Sequence, residues 1–129
     1  MEKKTLTLSV AEPWFSKIVS GTKTEEYREI KTYWAQRLLD INKNVIDAIK
    51  SFREWKSVRS DELKSFIGGG LRLGIFTFKP FTHVLFVNGY GTNRQRIEKE
   101  IVSITIDKPK LWTCPGKWLN QDFFVIKFK

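Results

Sequence analysis

The order of strand and helix patterns in the sequence predicts a mixed α+β domain with a curled sheet, most simply a small barrel with helices on its side. Three observations lead to this prediction. The 129 residues suit one domain over residues 1–129. Apolar residues make up 41% of the chain and charged residues 29%, which allows a packed core and excludes a disordered chain. An early strand and helix are followed by a helical insert and then by a run of strand patterns.

The first two elements are predicted to be a strand and a helix. Apolar and polar residues alternate over Thr5–Val10, which is typical of a half-buried strand. Pro13 suits the first turn of a helix, because its missing N–H costs nothing there. Apolar residues at helical spacing define the inward face of that helix as Trp14, Phe15, Ile18 and Val19. Gly21 is placed to end the helix in a left-handed conformation.

The next segment, Thr22–Ile30, favours a strand, but both of its alternating faces are polar. Packing alone specifies such a strand poorly. Two interpretations remain open. The segment is an exposed edge strand with solvated charges, or its charges meet something.

Three helices are predicted in the insert. The first covers residues 32–39, with Tyr33, Trp34, Leu38 and Ile41 turned inward. The second runs from about Asn44 to Trp55, on apolar residues at three- and four-residue spacing. The third begins at Ser60 and is expected to stop at Gly68-Gly69-Gly70.

The remainder of the chain is strand-like. We predict strands at 71–78, 82–87, 101–106 and 122–129, the second of them central because its apolar run is nearly continuous. Asn88-Gly89-Tyr90-Gly91 has the composition of a turn.

Positive charge is concentrated in the second half of the chain. Lys and Arg number 23 against 14 Asp and Glu, a formal net charge of +9. Residues 1–62 contain 12 basic and 10 acidic residues, whereas residues 63–129 contain 11 and 4. A lopsided positive field attracts polyanions, so RNA or a nucleotide is the expected partner.

The segment from Gly21 to Arg28 concentrates chemistry-bearing side chains. Arg28 can grip a phosphate or a base edge with its planar guanidinium. Glu26 can orient Arg28 or accept a proton, and Lys23 can contact phosphate or serve as a base if burial favours its neutral form. The competing interpretation is a solvated strand whose charges pair weakly.

The strand, the helix and the residues Gly21, Lys23, Glu26 and Arg28 together resemble the ASCH domain of the PUA-like superfamily, whose signature is G-x-K-x-x-E-x-R after the first helix. The resemblance covers roughly the first 30 residues. It implies a small PUA-like β-barrel with flanking helices, a helical insert after the second strand, and a cleft that binds RNA or nucleotides. Family likeness supports a fold more firmly than a function.

Some members of that family are amidohydrolases that act on 4-acetylcytidine through a lysine, a threonine three residues later and a distant glutamate. The resemblance carries the lysine over to Lys23, but Glu26 occupies the threonine position. The amidohydrolase, with Lys23 and Glu26 as catalytic residues, is therefore the alternative to a binding module. A third alternative is a protein-interaction module that uses the insert at 31–67.

The expected RNA- or nucleotide-binding residues are Lys23, Glu26, Tyr27, Arg28, Tyr90, Arg94 and Arg96. Lys23 and the arginines would meet phosphates, and Tyr90 would stack on a base from the opposite rim of the cleft. The lone histidine, His83, lies in an apolar strand pattern, so we expect no metal. The glycine triplet lacks a phosphate-loop ending, and we expect no cofactor.

The predicted location is the cytoplasm. The single cysteine, Cys114, makes no internal disulfide, and the first residues include no apolar signal region. No stretch reaches the roughly 18 apolar residues of a membrane span, so no membrane partner is expected.

Overall fold

The computed structural model describes residues 2–41, 60–89, 94–110 and 118–129. The chain divides into two compact units, Met1–Tyr27 with Pro80–Lys129 and Arg28–Lys79. Strands and helices are both present, so the mixed α+β class is confirmed. The single domain over 1–129 stays a prediction.

The first unit contains a five-stranded sheet. Its elements are β1 (Thr5–Val10), α1 (Trp14–Val19), β2 (Glu25–Glu29), β5 (His83–Asn88), β6 (Arg96–Asp107) and β7 (Phe123–Phe128); the last two residues of β2, Arg28 and Glu29, belong to the second unit. The strand order is β1-β5-β6-β7-β2. Among the described strands, β1 and β2 lie at the two ends of this order, so the sheet is open there.

The pairing of the strands follows from their connections. Strand β1 is parallel to β5, in a register that joins Thr5 to His83 and Val10 to Asn88. The later strands are antiparallel, β5 to β6 and β6 to β7. Parallel neighbours need a long crossover, and the residues between β1 and β5 supply it.

The core of the first unit comes from alternating strand positions and from one face of α1. Strand β1 buries Leu6, Leu8 and Val10, as predicted. Helix α1 buries Phe15 and Ile18. Val19, which is predicted to face inward, is 51% exposed. The other buried apolar residues of this unit include Val84, Phe86, Phe124, Ile126 and Phe128.

The second unit contains α2 (Thr32–Leu38), β3 (Leu39–Ile41), α3 (Ser60–Arg72) and β4 (Phe76–Phe78). Strands β3 and β4 pair antiparallel and form a two-stranded sheet. The described core of the unit consists of Ile30, Ala35, Leu38, Leu39, Leu63, Ile67 and Phe76. The helix predicted over residues 44–55 lies outside the described residues.

Two predictions for the second unit are wrong. Helix α3 continues through Gly68-Gly69-Gly70 to Arg72, so the predicted strand over 71–78 shrinks to Phe76–Phe78. The reason is packing, because a Cβ atom at Gly70 would overlap the ring of Phe76. A glycine at position 70 lets the helix backbone approach the Phe76 ring closely, and it does not end the helix.

Helix α2 also differs from its prediction on one side. Leu38 is buried, but Tyr33 is 56% exposed and Trp34 is half-buried. Ala35, which pattern analysis did not place inward, takes the buried position instead. The buried face of this helix is thus Ala35 and Leu38, and the aromatic pair lies at its boundary.

Candidate functional site

A tight exit from α1 positions the charged segment. Gly21 has a φ of +83°, which confirms the predicted left-handed end of the helix. Its N–H donates to the Ile18 carbonyl at 3.2 Å, and the Lys23 N–H donates to the Lys17 carbonyl at 3.0 Å. The chain is thereby folded back along α1, and Lys23 enters the protein at the start of β2.

Lys23 and Glu26 form a buried ion pair. Their Nζ and Oε1 atoms are 3.6 Å apart, with side-chain exposures of 2% and 7%. The same Glu26 oxygen accepts a hydrogen bond of 3.0 Å from the Tyr27 N–H. Removing two charges from water is costly, and their mutual attraction repays this only in good geometry. The pair is therefore a feature that the fold maintains at a cost.

Aromatic rings enclose the Lys23 ammonium. Its Nζ lies 4.7 Å from the centroid of the Tyr27 ring and 5.4 Å from that of Trp14. A second ammonium, on Lys17, lies 5.0 Å from the Trp14 centroid. The ring faces are negative and stabilise both cations. Trp14 and Lys17 are half-buried, so this part of the cluster reaches the surface.

Tyr27 links the pair to the sheet. Its hydroxyl donates to Glu25 Oε2 at 3.2 Å and accepts from the Lys110 N–H at 3.1 Å. The Lys110 ammonium lies 3.7 Å from Glu25 Oε1. The Tyr27 ring packs edge-on against Phe123, with 6.5 Å between centroids. The buried tyrosine thus has satisfied polar atoms and an apolar ring contact.

These contacts decide between the two interpretations of the polar strand. Strand β2 is the end strand in the sheet order, yet Glu25, Glu26 and Tyr27 are all buried. Phe128 of β7 donates its N–H to the Thr24 carbonyl at 3.0 Å beside it. The exposed edge strand with solvated charges is therefore wrong, because the carboxylates meet two ammonium groups, a phenol and a backbone N–H.

Arg28, the last residue of the motif, belongs to the second unit. Its guanidinium carbon lies 5.0 Å from the centroid of the Trp34 ring. The Arg37 guanidinium lies 5.1 Å from the same ring. In the second unit, Arg28 is thus part of an aromatic and arginine cluster on α2.

Two of the three predicted rim residues can be located. Arg94 donates to the Gly89 carbonyl at 3.2 Å and is half-buried. Arg96 is exposed at the start of β6, opposite Val87 of β5. Tyr90 lies outside the described residues. The opposite rim formed by these three residues stays a prediction.

A shallow groove accompanies Arg96. It has a volume of about 450 Å³ and is lined by Phe15, Val19, Gln95, Arg96 and Ile97. The exposed Val19 side chain is explained by its place on this groove. The lining is apolar with one cation at the rim, and it contains none of the motif residues.

Two findings about the described residues concern metal ions and membranes. Within residues 2–41, 60–89, 94–110 and 118–129, no group of three or more His, Cys, Asp and Glu residues is placed to hold a metal ion. In the same ranges, no helix has the length and apolarity to cross a membrane. His83 is half-buried, and its Nδ1 lies 2.8 Å from the Thr82 hydroxyl.

Sequence reasoning left three members of the site out of the list of binding residues. Trp14 is among the residues predicted to form the inward face of the helix, and the predicted site includes neither Lys17 nor Lys110. The spacing of Trp14 and Lys17 places them one helical turn apart, which was a usable signal. Lys110 is distant in sequence from Tyr27, and only the sheet pairing brings them together.

Comparisons of the chain with protein-family models, with curated proteins and with solved structures find no match. The residues of the site therefore carry the functional argument.

Proposed function

We propose that this chain is an RNA- or nucleotide-binding module with an ASCH-like, PUA-like architecture, and that residues 21–27 form one side of the binding site. The observation that carries the proposal is the buried Lys23–Glu26 pair beneath the half-exposed Trp14 ring. An ion pair of this kind adds little net stability compared with apolar residues of the same size. A functional role explains its presence better than a stabilising one.

The roles of the side chains follow from their exposure. Trp14 offers a π surface on which a base can stack, and the Lys17 ammonium beside it can meet a phosphate. Lys23 is too buried for an open phosphate contact, so it positions Glu26 and the Trp14 ring. Glu26 is nearly as buried as Lys23, with 7% of its side chain exposed, so a base reaches it only when the site opens on binding. The carboxylate then accepts from an exocyclic amino group, which cytosine carries and uracil lacks. The proposal therefore favours cytidine over uridine.

The charge distribution supports a polyanionic ligand. The chain has a formal net charge of +9, and most of the excess lies in residues 63–129. Such a field raises the rate of encounter with nucleic acid and makes the affinity depend on salt. A cytoplasmic location and a small PUA-like β-barrel belong to the same proposal.

The test is a fluorescence titration of labelled oligocytidine with the full chain and two variants. Trp14→Ala should weaken binding roughly 5- to 150-fold, the range measured for the loss of one stacking contact. Lys17→Gln should weaken it less and reduce its salt dependence by about one phosphate contact. Lys129→Gln, an exposed lysine paired with Glu100, is the matched control for net charge. Unchanged affinity in both variants would exclude the Trp14 ring, which covers the Lys23–Glu26 pair, from the binding site.

The amidohydrolase is a second candidate, because the structure places a carboxylate beside Lys23 as that reaction requires. Glu26 still stands where the related enzymes have threonine, and the half-buried Thr24 directs its carbonyl to Phe128. Turnover of 4-acetylcytidine by the purified chain, lost in a Lys23→Met/Glu26→Gln double variant with an unchanged circular dichroism spectrum, would favour this candidate. Absence of turnover at high protein concentration would exclude it.

A further inference from the structure

The second unit contains a cluster of two aromatic rings and two guanidinium groups around α2. The Tyr33 and Trp34 rings meet edge to face, with 4.9 Å between centroids and an angle of 82°. Arg37 lies 5.1 Å from the Trp34 ring and 5.8 Å from the Tyr33 ring, and Arg28 lies 5.0 Å from the Trp34 ring. We call these four residues the α2 cluster.

All four side chains of the α2 cluster are at least partly exposed to solvent. Tyr33 is 56% exposed, and Trp34, Arg28 and Arg37 are half-buried. The buried contacts of the helix are made by Ala35 and Leu38, so the core does not require the Tyr33 ring. An exposed aromatic ring fixed against a second ring loses little side-chain entropy when a ligand stacks on it.

The charge of the cluster selects the kind of ligand. Between Arg28 and Leu38 there are three cations, Arg28, Lys31 and Arg37, and one acid, Glu29. Guanidinium groups bind phosphates with several donors and also stack on planar rings. Aromatic rings that alternate with guanidinium groups match a single strand of nucleic acid, in which bases alternate with phosphates. An acidic peptide would use the cations but would leave the rings without a stacking partner.

We propose that the α2 cluster is a single-stranded nucleic-acid contact, in which a base stacks on Tyr33 and the guanidinium of Arg37 meets the adjacent phosphate. This inference goes beyond the proposed function, because its residues lie in the second unit and do not include the Lys23–Glu26 pair. The Arg28 guanidinium holds the Trp34 ring that supports Tyr33, which gives the last residue of the motif a positioning role.

The experiment is a fluorescence titration of labelled oligouridine with the full chain, because uridine lacks the amino group on which the other site depends. Tyr33→Ala should weaken binding roughly 5- to 150-fold, and Tyr33→Phe should retain the affinity because the ring remains. Arg37→Gln should weaken binding and reduce the salt dependence by about one contact. Arg37→Lys should restore the salt dependence only, because an ammonium keeps the charge and loses the stacking plane.

The variants also separate this proposal from the proposed function. Loss of oligouridine affinity in Tyr33→Ala supports the α2 cluster, and unchanged oligocytidine affinity in Trp14→Ala removes the other site. Loss in Trp14→Ala alone overturns the α2 cluster. Equal binding of Tyr33→Ala and the unsubstituted chain overturns it too, as does competition by polyglutamate as effective as that by unlabelled oligouridine. Circular dichroism of each variant verifies the fold, since the exposed Tyr33 side chain contributes little to the core.

Discussion

At the scale of single residues, the proposed function depends most on the burial of the two charges of the Lys23–Glu26 pair. Its ammonium and carboxylate are nearly inaccessible to water, and the Tyr27 and Trp14 rings replace part of the lost hydration of Lys23. Truncating one partner of a buried pair typically costs about 3–5 kcal/mol, because the other charge stays buried. Single substitutions here test stability, and only paired substitutions test binding.

Tyr27→Phe is a prediction at the same scale. The substitution removes the hydroxyl that donates to Glu25 and accepts from the Lys110 N–H. Both groups then lose a partner, so the free energy of unfolding should fall by about 1–3 kcal/mol in a urea titration. Tyr33→Phe, which removes a hydroxyl from an exposed ring, should change it by less than about 0.5 kcal/mol. Equal effects of the two substitutions would contradict the hydrogen-bonding role of Tyr27.

Glu98 supplies a prediction about pH. The hydrogen bond of 2.8 Å from Lys3 Nζ lowers the pKa of Glu98, burial opposes this shift, and the electrostatic interactions with Lys3 and His83 lower the pKa further. A carboxylate with a lowered pKa in the folded state stabilises the protein above its unfolded pKa. That contribution is lost as the pH falls through the lower, folded pKa.

The measurement is an NMR titration of the Glu98 side chain. Lys3→Gln should raise the pKa of Glu98 toward its ordinary value, because the largest cause of the shift is removed. Lys129→Gln, which breaks the separate pair with Glu100 on the same strand, should leave the pKa of Glu98 where it is. A Glu98 titration unaffected by Lys3→Gln would refute the assigned cause.

At the scale of elements, helix α3 shows how tertiary packing overrides a local signal. A run of three glycines normally favours a turn, but Gly70 lets the helix approach Phe76, whose ring also packs edge-on against Phe66 at 5.4 Å. At Gly68, the nearest described atom to an added Cβ is the flexible Arg72 guanidinium, 3.8 Å away. The three glycines are therefore not equivalent.

Alanine substitutions should separate them. Gly70→Ala should lower the free energy of unfolding by about 1–3 kcal/mol, because the new methyl overlaps the Phe76 ring. Gly68→Ala should raise the free energy of unfolding by about 0.5–1 kcal/mol, because alanine has the higher helix propensity and its methyl meets only the flexible Arg72 side chain at 3.8 Å. Thermal unfolding of both variants tests this pair. Stabilisation by Gly70→Ala would contradict the packing explanation.

The elements that were predicted correctly from the sequence are those in which the spacing of apolar residues indicates the buried face. Buried faces are identified directly by the alternation in β1, the apolar run of β5 and the aromatic residues of β7, the last strand in the chain. Strand β2 escaped this logic, because its burial depends on charges that pair through space. The glycine run in α3 and the exposed Tyr33 escaped it for the same reason, since both depend on neighbours outside the local window.

The candidate site was predictable in part. The motif placed Lys23, Glu26 and Tyr27 close together in sequence, and the structure brings their side chains into one buried cluster. Trp14 and Lys110 join that cluster only through the helix exit and the sheet pairing. The composition of segment 21–28 thus identified the chemistry, while the tertiary fold determined which of its charges reach the surface.

At the scale of the whole molecule, the charge distribution bears on the proposed class of ligand. The excess of cations in residues 63–129 provides attraction that does not depend on sequence, and the buried carboxylate of Glu26 is the group that can discriminate between bases. General attraction should fall with salt by a slope of about 0.7 per phosphate contact on a single strand. Base preference should persist as salt rises, because it rests on a hydrogen bond.

The most direct test of the account is the ratio of affinities for oligocytidine and oligouridine in the Lys23→Met/Glu26→Gln double variant. This variant removes both buried charges together and keeps an oxygen acceptor for the Tyr27 N–H, so the fold should be retained. We expect the full chain to prefer cytidine by roughly 5-fold or more and the double variant to lose most of that preference, because a neutral amide oxygen is a weaker acceptor than a carboxylate. A folded double variant with an unchanged preference would contradict the central claim that the buried pair serves base recognition.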